Sequence, residues 1–456
     1  MNFGTYNDGF FNVDEKHGFL PIKDPLDKIS MKYFELRKTM EDFYICQKNE
    51  RKGILGIPDK IVNCVKNIPN FEKLIYQEKD PFILQSLFRT YTFLASGYTL
   101  ESSYQEFIKT GNYGNARTFL PKNIARPLVV LSEKLEVYPW LDYHYAYALG
   151  NYKRIDKSGT LHWKNLDMIC KFSGTSDEIG FIMLHVYINE LSPKLIESIR
   201  DENIELCANV MKQMNERRKE MWKASNYKNY NDFRIFIMGI KGNYKIFNNG
   251  VIFEDCFDNE PQEFRGQTGA QDDIIPTMDI FTGIIDYYPQ NQLTKYLYDL
   301  RTYRPKVIQK FLDDLLNYYK ENPLFERLKH KNDDKSIIDL LKIIDEVYYF
   351  RNGHWQFVQK YIISNTKYEI ATGGTPIISW LINQIEAVLL YENKILKYLV
   401  EKNIDESFKN YNDYLNILNS YDSKRILLQE QKKILLEKNY DSDLLFSKNV
   451  ELKLND

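Results

Sequence analysis

The stretch SIIDLLKIIDEVYYFRNGHWQFVQKY, from Ser336 to Tyr361, decides how the rest of the chain is arranged. Its apolar residues recur mostly at steps of three and four, the spacing that puts side chains on one face of an α-helix. This face comprises Ile337, Ile338, Leu341, Ile344, Val347, Tyr348, Phe350, Phe357, Val358 and Tyr361. The pattern predicts one long helix whose apolar face lies against the core.

A histidine, His354, interrupts this apolar face. It lies four residues after Phe350 and three before Phe357, so its imidazole turns toward the core. One interpretation is a core histidine with a hydrogen-bond partner, because buried polar groups are paired. The other is an axial ligand to a haem iron, whose flat apolar macrocycle needs apolar surroundings. Arg351 favours the haem ligand, because it shares this face and its guanidinium can pair with a haem propionate.

Length and composition are those of an ordinary globular protein with room for two or three domains. The chain has 456 residues, of which 43% are hydrophobic and 27% are charged. Its 61 basic and 63 acidic residues are well mixed and give a formal net charge of −2. This balance argues against a nucleic-acid surface built on bulk charge.

Cysteine usage and the N-terminal sequence bear on the compartment. None of the five cysteines has metal-ligand spacing, and there is no C-x-x-C-H motif: they are Cys46, Cys64, Cys170, Cys207 and Cys256. We therefore expect a reducing compartment, with any haem held without thioether links. The N-terminus lacks the pattern of a signal peptide, and no apolar run is long enough to span a membrane. The sequence predicts a cytoplasmic protein with no membrane contact.

Four segments resemble motifs of the indoleamine 2,3-dioxygenase family. They are RIFIMGIKGN (234–243), EFRGQTGAQDD (263–273), RNGHWQFVQKYI (351–362) and ATGGT (371–375). Each motif is weak alone, but the four stand in the family's order over roughly Phe119 to Tyr391. The resemblance implies an all-α fold of two helical domains, with haem b bound in the larger, C-terminal domain and ligated by His354. It also implies a reaction in which dioxygen opens the indole ring of L-tryptophan, or a related indoleamine, to give N-formylkynurenine.

Three segments are expected from this resemblance and from composition. Residues 1–165 are predicted to form a small, mainly helical domain, and residues 166–396 a large helical haem-binding domain. Residues 397–456 form a polar helical extension that has no counterpart in the resemblance. The extension either packs on the body or mediates self-association, and we expect a monomer.

Local patterns predict several elements that frame the site. Asp80 to Ser96 is predicted to be a helix entered through Asp-Pro, which suits the N-cap and first helical positions. Gly180 to Ile199 is predicted to be a nearly all-apolar helix, and Leu206 to Trp222 an amphipathic helix on the surface. The polar run from Lys153 to Trp163 contains Ser-Gly and predicts a hairpin-like connection.

The resemblance places substrate contacts on the distal side of the haem. It puts Phe181 against the indole and His185 near bound oxygen. Some family members carry a hydroxyl residue at the His185 position, so no general base is required there, and we assign no acid–base pair. Tyr143 or Tyr147 is expected to face the substrate, the alternative being an aromatic helix face packed in the core.

Arg234 stands alone in an apolar run, and a buried guanidinium needs an anion. The anion is either an internal salt-bridge partner or, as the resemblance implies, the carboxylate of the substrate. Ile237 is expected to contact the substrate as well. Asn229 and Tyr230 stand where the family has an aromatic pair, which leaves the ring size of the substrate open.

Two loops are expected to close the site. The resemblance puts Thr268 near a propionate and the substrate, beside Gln267, which replaces a smaller residue. It implies that Asp279 acts on the propionates through hydrogen bonds, the alternative being a solvated aspartate. The loop 364–376, with Thr372 near the substrate, is expected to be a lid rather than a linker, since Gly-Gly permits unusual backbone angles.

Two other functions remain open. The first is a haem enzyme of the same superfamily that oxidises a different indole or inserts one oxygen atom, which the departures at Asn229 and Gln267 would suit. The second is a haem-binding sensor or carrier without turnover. Arg234 and the intact TGGT loop argue against it, because a sensor needs neither.

Overall fold

The structure is a computed structural model that describes residues 4–46, 51–363, 368, 370–374 and 377–437, with the side chains of 377–380 and 434–437 left aside. Over these residues the protein is all-α, as predicted. The helices are α1 Phe34–Glu41, α2 Lys60–Lys66, α3 Glu72–Gln77, α4 Pro81–Thr110, α5 Lys122–Leu135, α6 Ser176–Asn189, α7 Ser192–Arg200, α8 Ile204–Lys219, α9 Met221–Ala224, α10 Asn231–Arg234, α11 Tyr244–Phe247, α12 Ile274–Thr282, α13 Gln292–Arg301, α14 Lys306–Glu321, α15 Leu324–His330, α16 Asp334–Phe357, α17 Ile377–Glu401 and α18 Tyr411–Glu437.

Short strands form two small sheets beside the helices. The strands are β1 Phe119–Leu120, β2 Tyr152–Arg154, β3 Leu166–Met168, β4 Val251–Phe253 and β5 Pro261–Gln262. β1 pairs parallel with β4, and β4 pairs antiparallel with β5. β2 and β3 pair antiparallel, with Tyr152 opposite Met168, so the predicted hairpin-like connection is confirmed.

The long helix α4 begins as the Asp-Pro pair predicts. The carboxylate of Asp80 accepts hydrogen bonds from the backbone N–H groups of Phe82 (2.8 Å) and Ile83 (3.1 Å), which satisfies donors that have no partner inside the helix. The helix continues to Thr110, well beyond the predicted end at Ser96, because buried residues continue along it.

The predicted helix around His354 is confirmed as α16. Asp333 caps it by accepting from the backbone N–H of Ser336 at 3.1 Å. The α-helix ends at Phe357 and widens into a π-helical turn, Val358–Ile363, so the predicted single helix has a looser last segment. The helices α8, α12, α15, α17 and α18 pack around α16 and make it the central element of this part of the fold.

The prediction that residues 206–222 form a surface helix is wrong for one face of α8. Cys207, Met211, Met214 and Arg218 are buried where α8 packs along α16. These positions follow one another at three- and four-residue steps, which is the core face of an amphipathic helix. Charged residues on the other face concealed how much of the helix is covered.

The C-terminal extension packs on the body of the protein. Its helix α18 lies against α16 and α17. The ammonium group of Lys424 contacts the carboxylates of Asp345 and Glu392, the latter at 2.7 Å, and all three side chains are largely buried. The packing alternative is therefore confirmed up to Glu437, while residues 438–456 lie outside the described part.

The buried apolar side chains form one connected cluster that runs from Tyr6 to Leu428. The predicted domain boundaries near residues 165 and 396 stay a prediction. Across the described residues, no helix is long and apolar enough to cross a membrane.

Candidate functional site

One cavity collects most of the predicted site residues. It lies between α6, α12, α16, α17 and the loops that precede α12 and α17. Among the predicted residues that the structure describes, Phe181, His185, Ile237, Thr268, Asp279, Arg351, His354 and Thr372 line it, whereas Tyr143 and Arg234 do not. A more open groove of about 810 Å³, near Phe43 and Lys164, contains none of them.

His354 reaches the cavity from the last turn of α16. Burial is the main cause that lowers the pKa of its imidazole to about 4, and the neighbouring His185 and Arg218 contribute to the same shift. The side chain is therefore neutral near pH 7. A neutral imidazole is the form that binds metal ions, so His354 is ready to act as a ligand.

Arg351 and Asp279 form a buried ion pair on the cavity wall, 2.5 Å apart. The guanidinium also donates to the backbone carbonyl of Gln384 at 3.0 Å, and the carboxylate accepts from the hydroxyl of Tyr288. Burial raises the pKa of Asp279, and the charge of Arg351 opposes the shift. Because Asp279 is only 1% exposed, the alternative of a solvated aspartate is wrong.

The same wall fits the edge of a haem. The side-chain amide nitrogen of Gln384 is buried and has no hydrogen-bond partner within the described part of the chain. A free donor beside Arg351 suits an anionic propionate. A neutral histidine facing a largely apolar cavity suits an iron that arrives with its other ligands, as haem iron does. The direct propionate contacts of Arg351, Thr268 and Asp279 stay predictions.

His185 faces the cavity from α6 in a fixed orientation. Its Nδ1 lies 3.0 Å from the backbone carbonyl of Phe181, which can accept a hydrogen bond but cannot donate one. The neutral ring therefore carries its proton on Nδ1 and leaves Nε2 as an acceptor. A side-chain Cβ at Gly269 would lie 3.9 Å from this Nε2, which places the nitrogen toward the turn on the cavity wall. Burial lowers the pKa of His185, and the negative charge of Asp272 opposes the shift.

Tyr143 lies behind His185 rather than on the cavity wall. It is fully buried, its ring meets that of His185 edge to face at 5.8 Å, and its hydroxyl donates to Asp272 at 2.7 Å. Asn189 donates to the same carboxylate at 2.8 Å. This is the packed-core placement, as it also is for Tyr147, whose hydroxyl donates to Glu178.

An aromatic wall closes one side of the cavity. The ring of Phe181 lies 5.0 Å from that of Tyr230 and 5.8 Å from that of Tyr361, centre to centre. Asn229 instead turns away and donates to Asp177 at 2.6 Å. Tyr230 thus provides an aromatic face at the cavity, and Asn229 does not replace the second ring.

Arg234 is fully buried and is not among the residues that line the cavity. Its guanidinium donates to the backbone carbonyls of Ile370 (2.7 Å) and Tyr368 (3.3 Å) and to the hydroxyl of Tyr113 (3.3 Å). Among the described residues these acceptors are all neutral, so the alternative of an internal salt bridge is not met there. The charge meets carbonyl dipoles of the loop that leads to Thr372.

The described part of the predicted lid is docked against the cavity wall. The hydroxyl of Thr372 donates to the carbonyl of Gln267 at 2.6 Å, and its carbonyl accepts from the N–H of Gly239 at 2.8 Å. Gly374 has a φ of 87°, and a Cβ there would lie 2.0 Å from the carbonyl of Lys241. This conformation and close approach both require glycine. Residues 364–367, 369, 375 and 376 lie outside the described part.

Sequence reasoning missed two charged residues that line the cavity, Asp272 and Arg218. Asp272 follows the turn that carries Thr268, so its place in a site loop was a usable signal. Arg218 lies at a helical step from the apolar residues of α8, but its own charge masked that signal.

Comparison with known proteins gives consistent matches. The family model described as indoleamine 2,3-dioxygenase matches residues 8–386. The chain is 25% identical to indoleamine 2,3-dioxygenase 1 of Rattus norvegicus over 402 residues, 81% of this chain and 92% of the rat protein. It is 28% identical to the Mus musculus protein of that name over 43% of this chain and 52% of the mouse protein. It is 25% identical to indoleamine 2,3-dioxygenase nanC of Aspergillus nanangensis, over 58% of this chain and 72% of the fungal protein.

Proposed function

The chain belongs to the indoleamine 2,3-dioxygenase family of oxidoreductases, and on that premise we propose that it opens the indole ring of L-tryptophan with dioxygen. The proposed cofactor is haem b, ligated by His354, and the proposed product is N-formylkynurenine. One observation carries the proposal: two neutral histidines, His354 and His185, face one largely apolar cavity.

The chain's own residues would hold the cofactor. His354 would ligate the iron, and Arg351 with the amide of Gln384 would receive a propionate. When bound, haem supplies the ferrous iron that binds dioxygen and carries out the oxidation. The protein contributes binding, orientation and the exclusion of water.

Orientation of the indole falls to the distal wall. The rings of Phe181 and Tyr230 offer a face on which a flat aromatic substrate can pack. The Nε2 of His185 is an acceptor that suits the N–H of an indole. Ile237 keeps the surroundings apolar, and Thr372 holds the loop closed through its bond to Gln267.

Arg234 is proposed to bind the carboxylate of the substrate. The guanidinium already donates to the loop carbonyls of Tyr368 and Ile370. Ile370 comes two residues before Thr372, which lines the cavity. A carboxylate that enters beside this loop would replace neutral acceptors with a charged one, and charge-assisted hydrogen bonds are the stronger kind.

Substitution of His354 tests the cofactor and reaction together. We expect purified wild-type protein to show a haem spectrum, and the reduced protein to convert tryptophan to a product that gains two oxygen atoms. His354→Ala should lose most haem, or keep haem that has no proximal nitrogen ligand. His17→Ala is a matched control, because His17 pairs with Asp14 and does not line the cavity, so this substitution should leave the spectrum unchanged. A wild-type ferrous spectrum and activity in His354→Ala would make another histidine the ligand, with His185 next.

A second function from the same superfamily is favoured by two residues. Arg234 is bonded to the loop, and Gln267 lines the cavity where a smaller residue was expected. Both suit an indole without a carboxylate, or insertion of one oxygen atom. Product mass and the preferred indole distinguish these reactions, and haem binding without turnover would identify a carrier or sensor.

The proposed partners are therefore the indole substrate and dioxygen. A monomer in the cytoplasm, without nucleic-acid or membrane partners, stays a prediction. Chromatography with light scattering, on protein containing the full extension, measures the oligomeric state.

A further inference from the structure

Arg218 has a place in the site that the proposed function does not use. It projects from α8 and is 8% exposed, and it lines the same cavity as His354. Its guanidinium carbon lies 5.5 Å from the ring centre of Phe357 and 5.8 Å from that of Phe350. These two aromatic residues flank His354 on α16.

Gly353, the residue before His354, makes this placement possible. A Cβ at Gly353 would lie 1.9 Å from Nη1 of Arg218 and 2.2 Å from its guanidinium carbon. Any other side chain there would push the guanidinium away from the backbone of α16. The glycine therefore provides a cradle for a positive charge beside the proximal histidine.

The charge of Arg218 is not cancelled locally. Its Nε donates to the side-chain oxygen of Asn215 at 3.1 Å, and its Nη2 donates to the carbonyl of Tyr349 at 3.3 Å. Both acceptors are neutral, and within the described residues Arg218 forms no ion pair with a carboxylate. The charge of Glu346 raises the pKa of Arg218, but the Glu346 carboxylate accepts its hydrogen bond from Asn215, at 2.8 Å.

We propose that Arg218 is a positioning residue of the haem site that favours ferrous over ferric iron by placing an uncancelled positive charge beside His354. This inference rests on the proposed function, since it needs haem ligated by His354. Oxidation of the iron adds one positive charge to the site, and a neighbouring cation opposes that addition. The cation also withdraws electron density from the axial imidazole, which disfavours ferric iron as well.

The direction of this effect on the oxidation state of the iron matters for the reaction. Dioxygen binds the ferrous form, so a charge that favours ferrous iron enlarges the fraction of enzyme that can react. At an effective dielectric constant of about 20, a unit charge bordering the cavity changes such an equilibrium by roughly tenfold. The pKa of Arg218 itself is lowered by burial, to about 10, so the residue remains charged near pH 7.

Haem midpoint potentials of a variant set test the inference on the holoenzyme. Arg218→Gln should raise the ferric-to-ferrous ratio at a fixed potential about tenfold, which equals 59 mV for one electron. Arg218→Lys keeps the charge and should stay close to wild type. Arg217→Gln is the matched control, because Arg217 is the adjacent arginine on α8 and pairs with Glu190. It should not change the potential.

Gly353→Ala provides a second route to the same result. The added Cβ would displace the guanidinium without removing it, while alanine favours the helix. The midpoint potential should fall in this variant too, and it serves if Arg218→Gln does not fold.

Three results would overturn the inference. The first is an unchanged potential in Arg218→Gln with haem bound. The second is an equal fall in Arg218→Lys and Arg218→Gln, which would make shape rather than charge the cause. The third is weaker haem binding without a change in potential, which would make Arg218 a contact to the haem edge. Failure of wild-type protein to bind haem through His354 would instead refute the proposed function, and it is measured first from the spectrum of His354→Ala.

Discussion

Arg234→Met should separate the two roles open to this arginine, because it keeps the apolar stem and removes the charge. The guanidinium donates to the carbonyls of Ile370 and Tyr368 and to the hydroxyl of Tyr113. If it also binds the substrate carboxylate, the variant loses a charge-assisted contact of roughly 1.5–3 kcal/mol. At 1.4 kcal/mol per factor of ten, tryptophan should then lose about ten- to 150-fold in kcat/KM.

The assay compares tryptophan with 3-methylindole, which has no carboxylate. Loss of the loop contacts lowers turnover of both substrates, whereas loss of the carboxylate contact lowers only that of tryptophan. The ratio of the two kcat/KM values therefore isolates the carboxylate contribution. Haem content, measured from the spectrum, should not change.

Arg265→Met is the matched control for the loop. Its guanidinium donates to the carbonyl of Gly373 at 3.1 Å and so anchors the same segment from another side. This variant should lower turnover of both indoles equally and leave their ratio as in wild type. An unchanged ratio in Arg234→Met would refute carboxylate binding and make Arg234 a loop anchor. A wild-type preference for 3-methylindole would have the same meaning and would put the non-tryptophan reaction first.

Three further outcomes follow from the structure. Gly374→Pro should slow turnover far more than it lowers haem content, since proline cannot adopt a φ of 87°. The control is Gly111→Pro, at a second glycine with positive φ and with open space around it. Equal losses of haem and turnover in Gly374→Pro would show that the loop is structural. Lys424→Met should lower the free energy of unfolding, measured in denaturant, by about 3–5 kcal/mol, because it leaves Glu392 and Asp345 buried without their cation. Adding Glu392→Gln should recover part of the lost stability. An unchanged free energy of unfolding in Lys424→Met would mean that the extension does not pack on the body. Burial raises the pKa of Asp142 to about 6, so the folded state holds the proton of this carboxyl more tightly than the unfolded chain does. The stability of wild type relative to Asp142→Asn should therefore fall as pH rises from about 4 to about 6. The same pH dependence of stability in both proteins would contradict this.

The sequence predicts the elements whose pattern is local. The helix α16 follows from apolar spacing, and the start of α4 follows from Asp80 and Pro81. The position of His354 on the cavity follows from the same spacing, because a residue on the apolar stripe of a central helix faces whatever space the core contains.

Contacts between distant segments could not be read from the sequence. The pattern around Arg234 requires an acceptor but does not reveal that loop carbonyls 134 to 136 residues later supply it. Tyr143 likewise reads as an aromatic residue near the site, and only the fold shows that His185 lies between its ring and the cavity. In both cases the choice among partners is made by packing of segments far apart in the chain.

Arg351 and Arg218 show why the role of an arginine near His354, the proposed haem ligand, cannot be assigned from spacing alone. Arg351 shares a helix face with His354, yet Asp279 lies 2.5 Å from it and cancels its charge. Arg218 comes from another helix, and its acceptors are neutral. Removing Arg351 would leave the buried carboxylate of Asp279 without its cation, so this substitution should first lower the stability of the fold and of the cavity wall that Asp279 lines. Removing Arg218 leaves no such carboxylate, so this substitution should change the midpoint potential of the proposed haem. Substitution of Arg351 should therefore lower mainly the stability, and substitution of Arg218 mainly the potential.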